Sequence, residues 1–329
     1  MADKIRWGII GPGSIANRLA DGVRALDDAE VLGVASRDLA RANAFADKWS
    51  IERRYAGYEA MVADPDIDIV YVATPHPFHA PHSILALEAG KAVMCEKPFT
   101  VNAAEARRVV AAARAKGVFL MEGMWSRFFP VMARIRERIA EGVIGDVLLV
   151  QADFGFRAGF NAESRLFDPA LGGGGLLDVG VYPISLASMI LGRADRVTGL
   201  AVLGQTGVDE SAVISLGYPG GGLASLSTGV RVNTPQAAMI IGTEGRIEIP
   251  SPWWVPERAL VQAGGTTEEL TEAKLASGFE YEAAEAGRCV RAGLGESPVL
   301  PLDETVAIME TMDTLRAQWG VRYPMEDGE

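Results

Sequence analysis

Three short stretches carry residue types that could do chemistry. The first is Cys95-Glu96-Lys97-Pro98, which holds a lysine in front of a proline on a short turn. The second is LGGGGLLDVGVYPI, residues 171–184. Its four glycines let the backbone approach a ligand closely. Asp178 and Tyr182 follow at i, i+4, which puts a carboxylate and a phenol on one helix face. An amphipathic helix with incidental polar residues is the plainer alternative. The third stretch is ATPHPFHAPH, residues 73–82, which holds His76, His79 and His82, every histidine of the chain. Imidazoles three apart raise the question of a transition metal. Pro75, Pro77 and Pro81 forbid a helix that would align the rings, and the nearest carboxylate is Glu88. No metal site is predicted.

The elements that must position these residues alternate in the first third of the chain. Apolar, β-branched runs predict strands at 5–10, 30–35, 67–73, 91–95 and 118–121, and helical composition separates them up to residue 116. This alternation implies a parallel sheet covered on both faces. After residue 123 the rhythm changes. Helices are expected at 131–141 and 176–191, then a mostly antiparallel meander through RVTGLAVLG, SAVISLGY, GLASLSTGV, AAMIIG and RIEIP, then helices at 278–291 and 302–319. The fold class is α/β: a dinucleotide-binding domain over 1–122, then an α+β domain over 123–300.

Gly11-Pro12-Gly13-Ser14-Ile15-Ala16 has the G-x-G-x-x-A form between the first strand and the first helix. Gly11 makes the tight turn, Gly13 admits a pyrophosphate, and the N–H groups at Ser14 and Ile15 face it. The second strand ends Ser36-Arg37-Asp38. A hydroxyl and a guanidinium suit the 2′-phosphate of NADP. Asp38 turned inward would hold the ribose of NAD instead. Thr74, Pro75 and His79 lie in the loop at the carboxyl end of the third strand, where they are expected to edge the nicotinamide, with Glu96 and Lys97 at the same edge.

Composition bounds the rest. At 329 residues the chain accommodates two cores, with 49% hydrophobic and 22% charged residues. A net charge of −12 argues against nucleic-acid or anionic-membrane partners. Two cysteines are too few for a disulfide framework. No apolar run approaches membrane-spanning length and no signal-peptide core is evident, so a cytoplasmic location is expected.

GVASRDLARANAFA, GKAVMCEKPFTVNAAEARRVV and FLMEGMWSRFFP, with E-K-P at 96–98 and the glycine run before D-x-G-x-Y, resemble the glucose–fructose oxidoreductase/inositol dehydrogenase family over essentially the whole chain. The likeness is strongest to its dihydrodiol dehydrogenase and NADP-dependent D-xylose dehydrogenase branch, in which tyrosine rather than histidine stands at position 182. The resemblance implies a Rossmann domain, an open-faced sheet that pairs two copies, and a last segment, 301–329, that returns to the first domain. It implies hydride transfer from a sugar or diol hydroxyl carbon to the nicotinamide. Tyr182 then takes the hydroxyl proton, Lys97 is the cation that makes a phenol of ordinary pKa near ~10 a useful base, and Asp178 orients lysine or substrate. Trp125, Arg127, Phe128 and Phe156 are expected to line the substrate side. An anhydro-sugar reductase, an inositol dehydrogenase or a non-enzymatic NADP sensor are the alternatives, the aromatic 125–129 stretch leaning against inositol.

Overall fold

The computed structural model describes residues 4–326. The outermost residues of the expected N-terminal domain and C-terminal segment, 1–3 and 327–329, lie outside the described residues. The described chain forms two compact units. One comprises residues up to Thr100, Ala104–Trp125 and Lys274–Thr305; the other comprises Val101–Ala103, Ser126–Ala273 and the residues from Val306 on.

The first unit opens with β1 (Ile5–Ile10), whose Trp7, Ile9 and Ile10 are fully buried. Then come α1 (Ser14–Arg24), β2 (Ala29–Ser36), α2 (Leu39–Trp49), β3 (Arg53–Ala56), α3 (Glu59–Val62) and β4 (Ile69–Val72). They are followed by α4 (His79–Glu88), β5 (Ala92–Glu96), α5 (Ala103–Lys116) and β6 (Leu120–Gly123). The strands form one parallel sheet in the order β3-β2-β1-β4-β5-β6. Its reversal of order between β1 and β4 is where open α/β sheets bind ligands. The central strands are buried on both faces, so each apolar side chain contributes roughly 1.5–3 kcal/mol and the runs read as continuous. Neither β3 nor α3 was expected from the sequence. β3 is a sheet edge, half-covered, and is held by Arg53 pairing with Asp64 and Asp66 rather than by an apolar run.

The second unit contains α6 (Pro130–Ala140), β7 (Val147–Gly155), α7 (Val181–Leu191), β8 (Arg196–Leu203), β9 (Asp209–Gly217) and β10 (Leu223–Gly229). Four more strands follow: β11 (Ala238–Gly242), β12 (Gly245–Ile249), β13 (Arg258–Ala263) and β14 (Thr266–Thr271). The eight strands lie in the order β14-β13-β12-β11-β7-β10-β9-β8. The sheet is mixed rather than a simple meander, because β7 returns to the middle and runs parallel to β10. On the open face Leu200, Val202, Val213 and Leu223 are at least half exposed. Ser215, Ser225 and Ser227 share that face by register with Thr198 and Val213.

Pro169–Leu191 is long and apolar enough by composition to cross a membrane, contrary to the sequence expectation, yet most of it is buried inside the protein. It is a core helix of this unit. Two helices close the chain, α8 (Glu280–Arg291) and α9 (Leu302–Trp319). Residues Lys274–Thr305, which include α8 and the start of α9, belong to the unit of the parallel sheet. A side chain at Gly22 on α1 would come within 2.6 Å of the Glu280 backbone nitrogen, so glycine is what lets α8 settle there. Beyond Thr305, α9 belongs to the second unit. There Trp319 Nε1 donates to Gly199 O at 2.9 Å and Gln318 Nε2 donates to Val197 O at 2.8 Å.

Candidate active site

In the first unit, the turn after β1 is shaped around Gly11. Its φ is +90°, and a Cβ there would sit 2.9 Å from Ala73 O. A Cβ on Gly13, by contrast, would meet nothing within 4 Å. Gly13 precedes α1, whose start has no side-chain cap, which leaves the first-turn N–H groups at Ser14 and Ile15 without a capping side chain. Asn17 holds the turn in shape: its Nδ2 donates to Gly13 O, while its Oδ1 accepts from Lys48 and Trp49. These features fit a pyrophosphate.

The end of β2 places the three side chains of Ser36-Arg37-Asp38. Asp38 Oδ1 accepts from Ala40 N–H at 2.9 Å, which makes it the N-cap of α2. Ser36 Oγ is buried and accepts the Asp38 N–H at 3.2 Å. Arg37 is exposed, its guanidinium 5.9 Å from the centre of the Phe78 ring. One oxygen of the acidic residue thus caps its own helix, and the Arg37 side chain is exposed beside it.

The histidine loop is built for position. His79 is 1% exposed, with Nε2 2.7 Å from Thr74 O and Nδ1 2.8 Å from Pro98 O. Burial lowers its pKa, against the two carbonyls that favour the charged ring. His79 thus ties the loop after β4 to the loop after β5. His82 Nδ1 lies 3.1 Å from Thr74 Oγ1, and the ring packs against Phe78 and Tyr58. Burial, then the neighbouring His79 and Arg37, push its pKa to about 4. It is a half-buried packing residue. Pro75 precedes the short turn His76–Phe78.

At the end of β5, Glu96 is buried and accepts from the Tyr71 hydroxyl and from the Lys97 N–H. Lys97, half-buried, precedes the cis Pro98. Thr74, Glu96 and Lys97 thus share the carboxyl edge of the sheet with the Gly11 turn. Trp125 is 5% exposed and packs on Phe279, ring centres 4.8 Å apart, with Arg18 over its other side.

In the second unit, the glycine run leads into a widened helical turn, Leu176–Gly180, bonded i→i+5, and then α7. Such turns recur at functional sites. Asp178 is buried and pairs with Arg165 Nη1 at 2.7 Å, a partner with no signal in the sequence. Tyr182, 5% exposed, packs on Phe154 at 5.2 Å between ring centres. Phe154 in turn stacks on Trp254 at 3.5 Å. This aromatic wall was also missed, although the Trp253-Trp254 doublet was a visible cue. Arg127, expected to line the substrate side, is instead 2% exposed: its guanidinium donates to Ser185 Oγ at 2.8 Å and Ser185 O at 2.6 Å. It anchors α7. Phe128 and Phe156 are half-buried, and Phe156 N–H bonds Gly229 O.

Comparison with known proteins agrees with this geometry. Residues 5–124 match the oxidoreductase family with an NAD-binding Rossmann fold, and residues 132–248 match the GFO/IDH/MocA C-terminal domain. The trans-1,2-dihydrobenzene-1,2-diol dehydrogenase of Mus musculus is 40% identical, the alignment covering 98% of this chain and 99% of that one. Its Homo sapiens counterpart is 36% identical over the same shares. A 3-ketoreductase from Actinomadura kijaniata, solved with NADP and TDP-benzene, superposes with a TM-score of 0.83 at 28% identity, covering 96% of this chain and 98% of that one. The aldose-aldose oxidoreductase from Caulobacter crescentus shares the fold, with a TM-score of 0.87 at 24% identity over 96% and 98% of the two chains. The chain belongs to the GFO/IDH/MocA oxidoreductase family.

Proposed function

We propose that this protein is an NADP-linked dehydrogenase that oxidises a hydroxyl-bearing carbon of a trans-dihydrodiol or an aldose. The observation that carries this reading is the phenol of Tyr182, in the first turn of α7 just after the widened turn that holds buried Asp178, packed against the Phe154–Trp254 stack. An aromatic wall suits the flat face of a dihydrodiol ring or the C–H face of a pyranose. The relatives named as dihydrodiol dehydrogenases favour the first.

Gly11, Gly13, Ser14 and Ile15 would hold the pyrophosphate, and Ser36 with Arg37 the 2′-phosphate. When bound, the cofactor supplies the hydride acceptor. The chain's own share is the proton. Tyr182 Oη takes it from the substrate hydroxyl as the carbon is oxidised, and Lys97 supplies the cation that an ordinary phenol needs to act as a base near neutrality. Asp178, its charge balanced by Arg165, holds the substrate hydroxyls in line. The open face bearing Leu200, Val202, Val213 and Leu223 is the surface through which two copies pair.

Trans-1,2-dihydrobenzene-1,2-diol, D-xylose, D-glucose and myo-inositol, each offered with NADP or NAD, test the reading by absorbance of the reduced nicotinamide. NADP reduction by the dihydrodiol or an aldose is expected. Silence with all four would refute it.

A further inference from the structure

The turn that carries Asp178 and leads into α7 with Tyr182 begins without a side-chain cap of its own, because Gly175 stands at the N-cap position. A carboxylate from a distant strand takes that place. Asp209, the first residue of β9, is fully buried, and its Oδ2 accepts the Leu176 N–H at 2.6 Å. A Cβ on Gly174 would fall onto Asp209 Oδ1, and one on Gly175 would lie 3.2 Å from Oδ2. Residues 174 and 175 are therefore glycine to admit the carboxylate, whatever else they do for a ligand. The same run is held at two other points. Thr228 Oγ1 donates to Gly175 O at 3.3 Å, and Tyr323 Oη donates to Gly173 O at 2.8 Å.

We infer that Asp209 is a positioning residue for the oxidation: its carboxylate holds the start of the turn so that Asp178 and Tyr182 keep their orientation. The inference rests on the catalytic role proposed for Tyr182.

The cap is not a cheap one. Asp209 Oδ1 has no hydrogen-bond partner among the described residues. Burial pushes this carboxyl up to about 7, against the N–H groups of Leu176, Asp209 and Gly175 and the charge of Arg316. The other titratable groups around it are Tyr323, whose ring Arg316 overlies, and Asp313 and Glu326, which pair with Arg316. A raised carboxyl pKa means that the folded state prefers the proton. The contribution of this group to stability is fully present below the ordinary carboxylate value and falls away as pH rises through about 7. An ordinary helix cap stabilises its protein; this one trades stability for a set geometry.

Two variants test it. Asp209→Asn keeps the shape and one acceptor oxygen, whereas Asp209→Ala removes the acceptor. Hydrogen exchange of the amides at 174–182 should quicken in both, roughly tenfold or more in the alanine variant. The kcat should fall by roughly 10- to 100-fold in Asp209→Ala and less in Asp209→Asn, with KM for NADP unchanged. With substrate deuterated at the carbinol carbon, the isotope effect on kcat should rise, because a misoriented turn slows the chemical step alone. The melting temperature of Asp209→Asn at pH 8 should equal or exceed the parent's.

If Asp209→Ala does not fold, the asparagine variant decides. Parent-like exchange at 174–182 would overturn the inference. So would a loss of kcat in proportion to folded protein with an unchanged isotope effect, the mark of a merely structural role. A parent inactive toward every substrate would instead sink the functional reading, since hydrogen exchange reads the cap without turnover.

Discussion

Replacing Arg37 by alanine removes the exposed guanidinium directly after β2, while leaving Asp38 on its helix cap. A charge-assisted hydrogen bond to a phosphate is worth roughly 1.5–3 kcal/mol when shielded. Arg37 is exposed and backed on one side by Phe78, so solvent screening reduces this to about 1–2 kcal/mol. At 1.4 kcal/mol per decade, NADP affinity should fall roughly 5- to 30-fold while NAD affinity stays within about twofold. Asp38→Ala supplies the control. It should cost about 1 kcal/mol of stability through loss of the α2 cap and leave NAD affinity unchanged. Fluorescence titration of both cofactors against both variants, with a melting curve for each, gives all the required numbers. If Asp38→Ala weakens NAD more than tenfold, the acidic residue holds the ribose and the reasoning fails. It fails equally if Arg37→Ala leaves NADP binding intact.

Two further outcomes follow from the packing. Glu282 on α8 is fully buried with both oxygens unpartnered among the described residues; burial first, then Glu96, Glu122 and Glu280, raise its pKa well above the carboxylate range. The folded state thus holds a proton there that the unfolded state releases at lower pH, so stability declines as pH rises above the ordinary carboxylate value. Glu282→Gln should raise stability at pH 8 by roughly 1–3 kcal/mol and little at pH 4, as read by denaturant melts; equal effects at both pH values would contradict this. A charge placed on the open sheet face, as in Val213→Lys, should turn a dimer into a folded monomer by light scattering, and a parent already monomeric at micromolar concentration would remove that surface from the account.

The parallel sheet was legible because its strands are covered on both faces and read as unbroken apolar runs; β4 and β5 stand where the sequence puts them. The polar edge strand β3 was not, since ion pairs rather than burial hold it. β14 (TTEELT) was hidden because its residues are polar and mostly exposed, whereas β13 was missed although its buried Ala259 and Val261 alternate with more open neighbours. At the site, Gly11, Gly13, Asp178 and Tyr182 could be picked out because glycine runs and helical spacing have local signatures. Arg165 and Asp209 had none. Each reaches its partner across 13 or 33 residues, and only the fold brings them together. For Arg127 nothing in the sequence pointed to Ser185, which accepts from its Nε and Nη2.

The central claim is that Tyr182 accepts the substrate's proton during NADP reduction. Single-turnover reduction of NADP by the preferred dihydrodiol or aldose, followed by stopped-flow absorbance in parent and Tyr182→Phe, tests it most directly. The phenylalanine keeps the ring packed on Phe154 and removes only the oxygen. The account predicts unchanged NADP binding, an unchanged melting temperature and a hydride-transfer rate lower by roughly 10²–10⁴-fold. A Tyr182→Phe enzyme that reduces NADP at near the parental rate would contradict it.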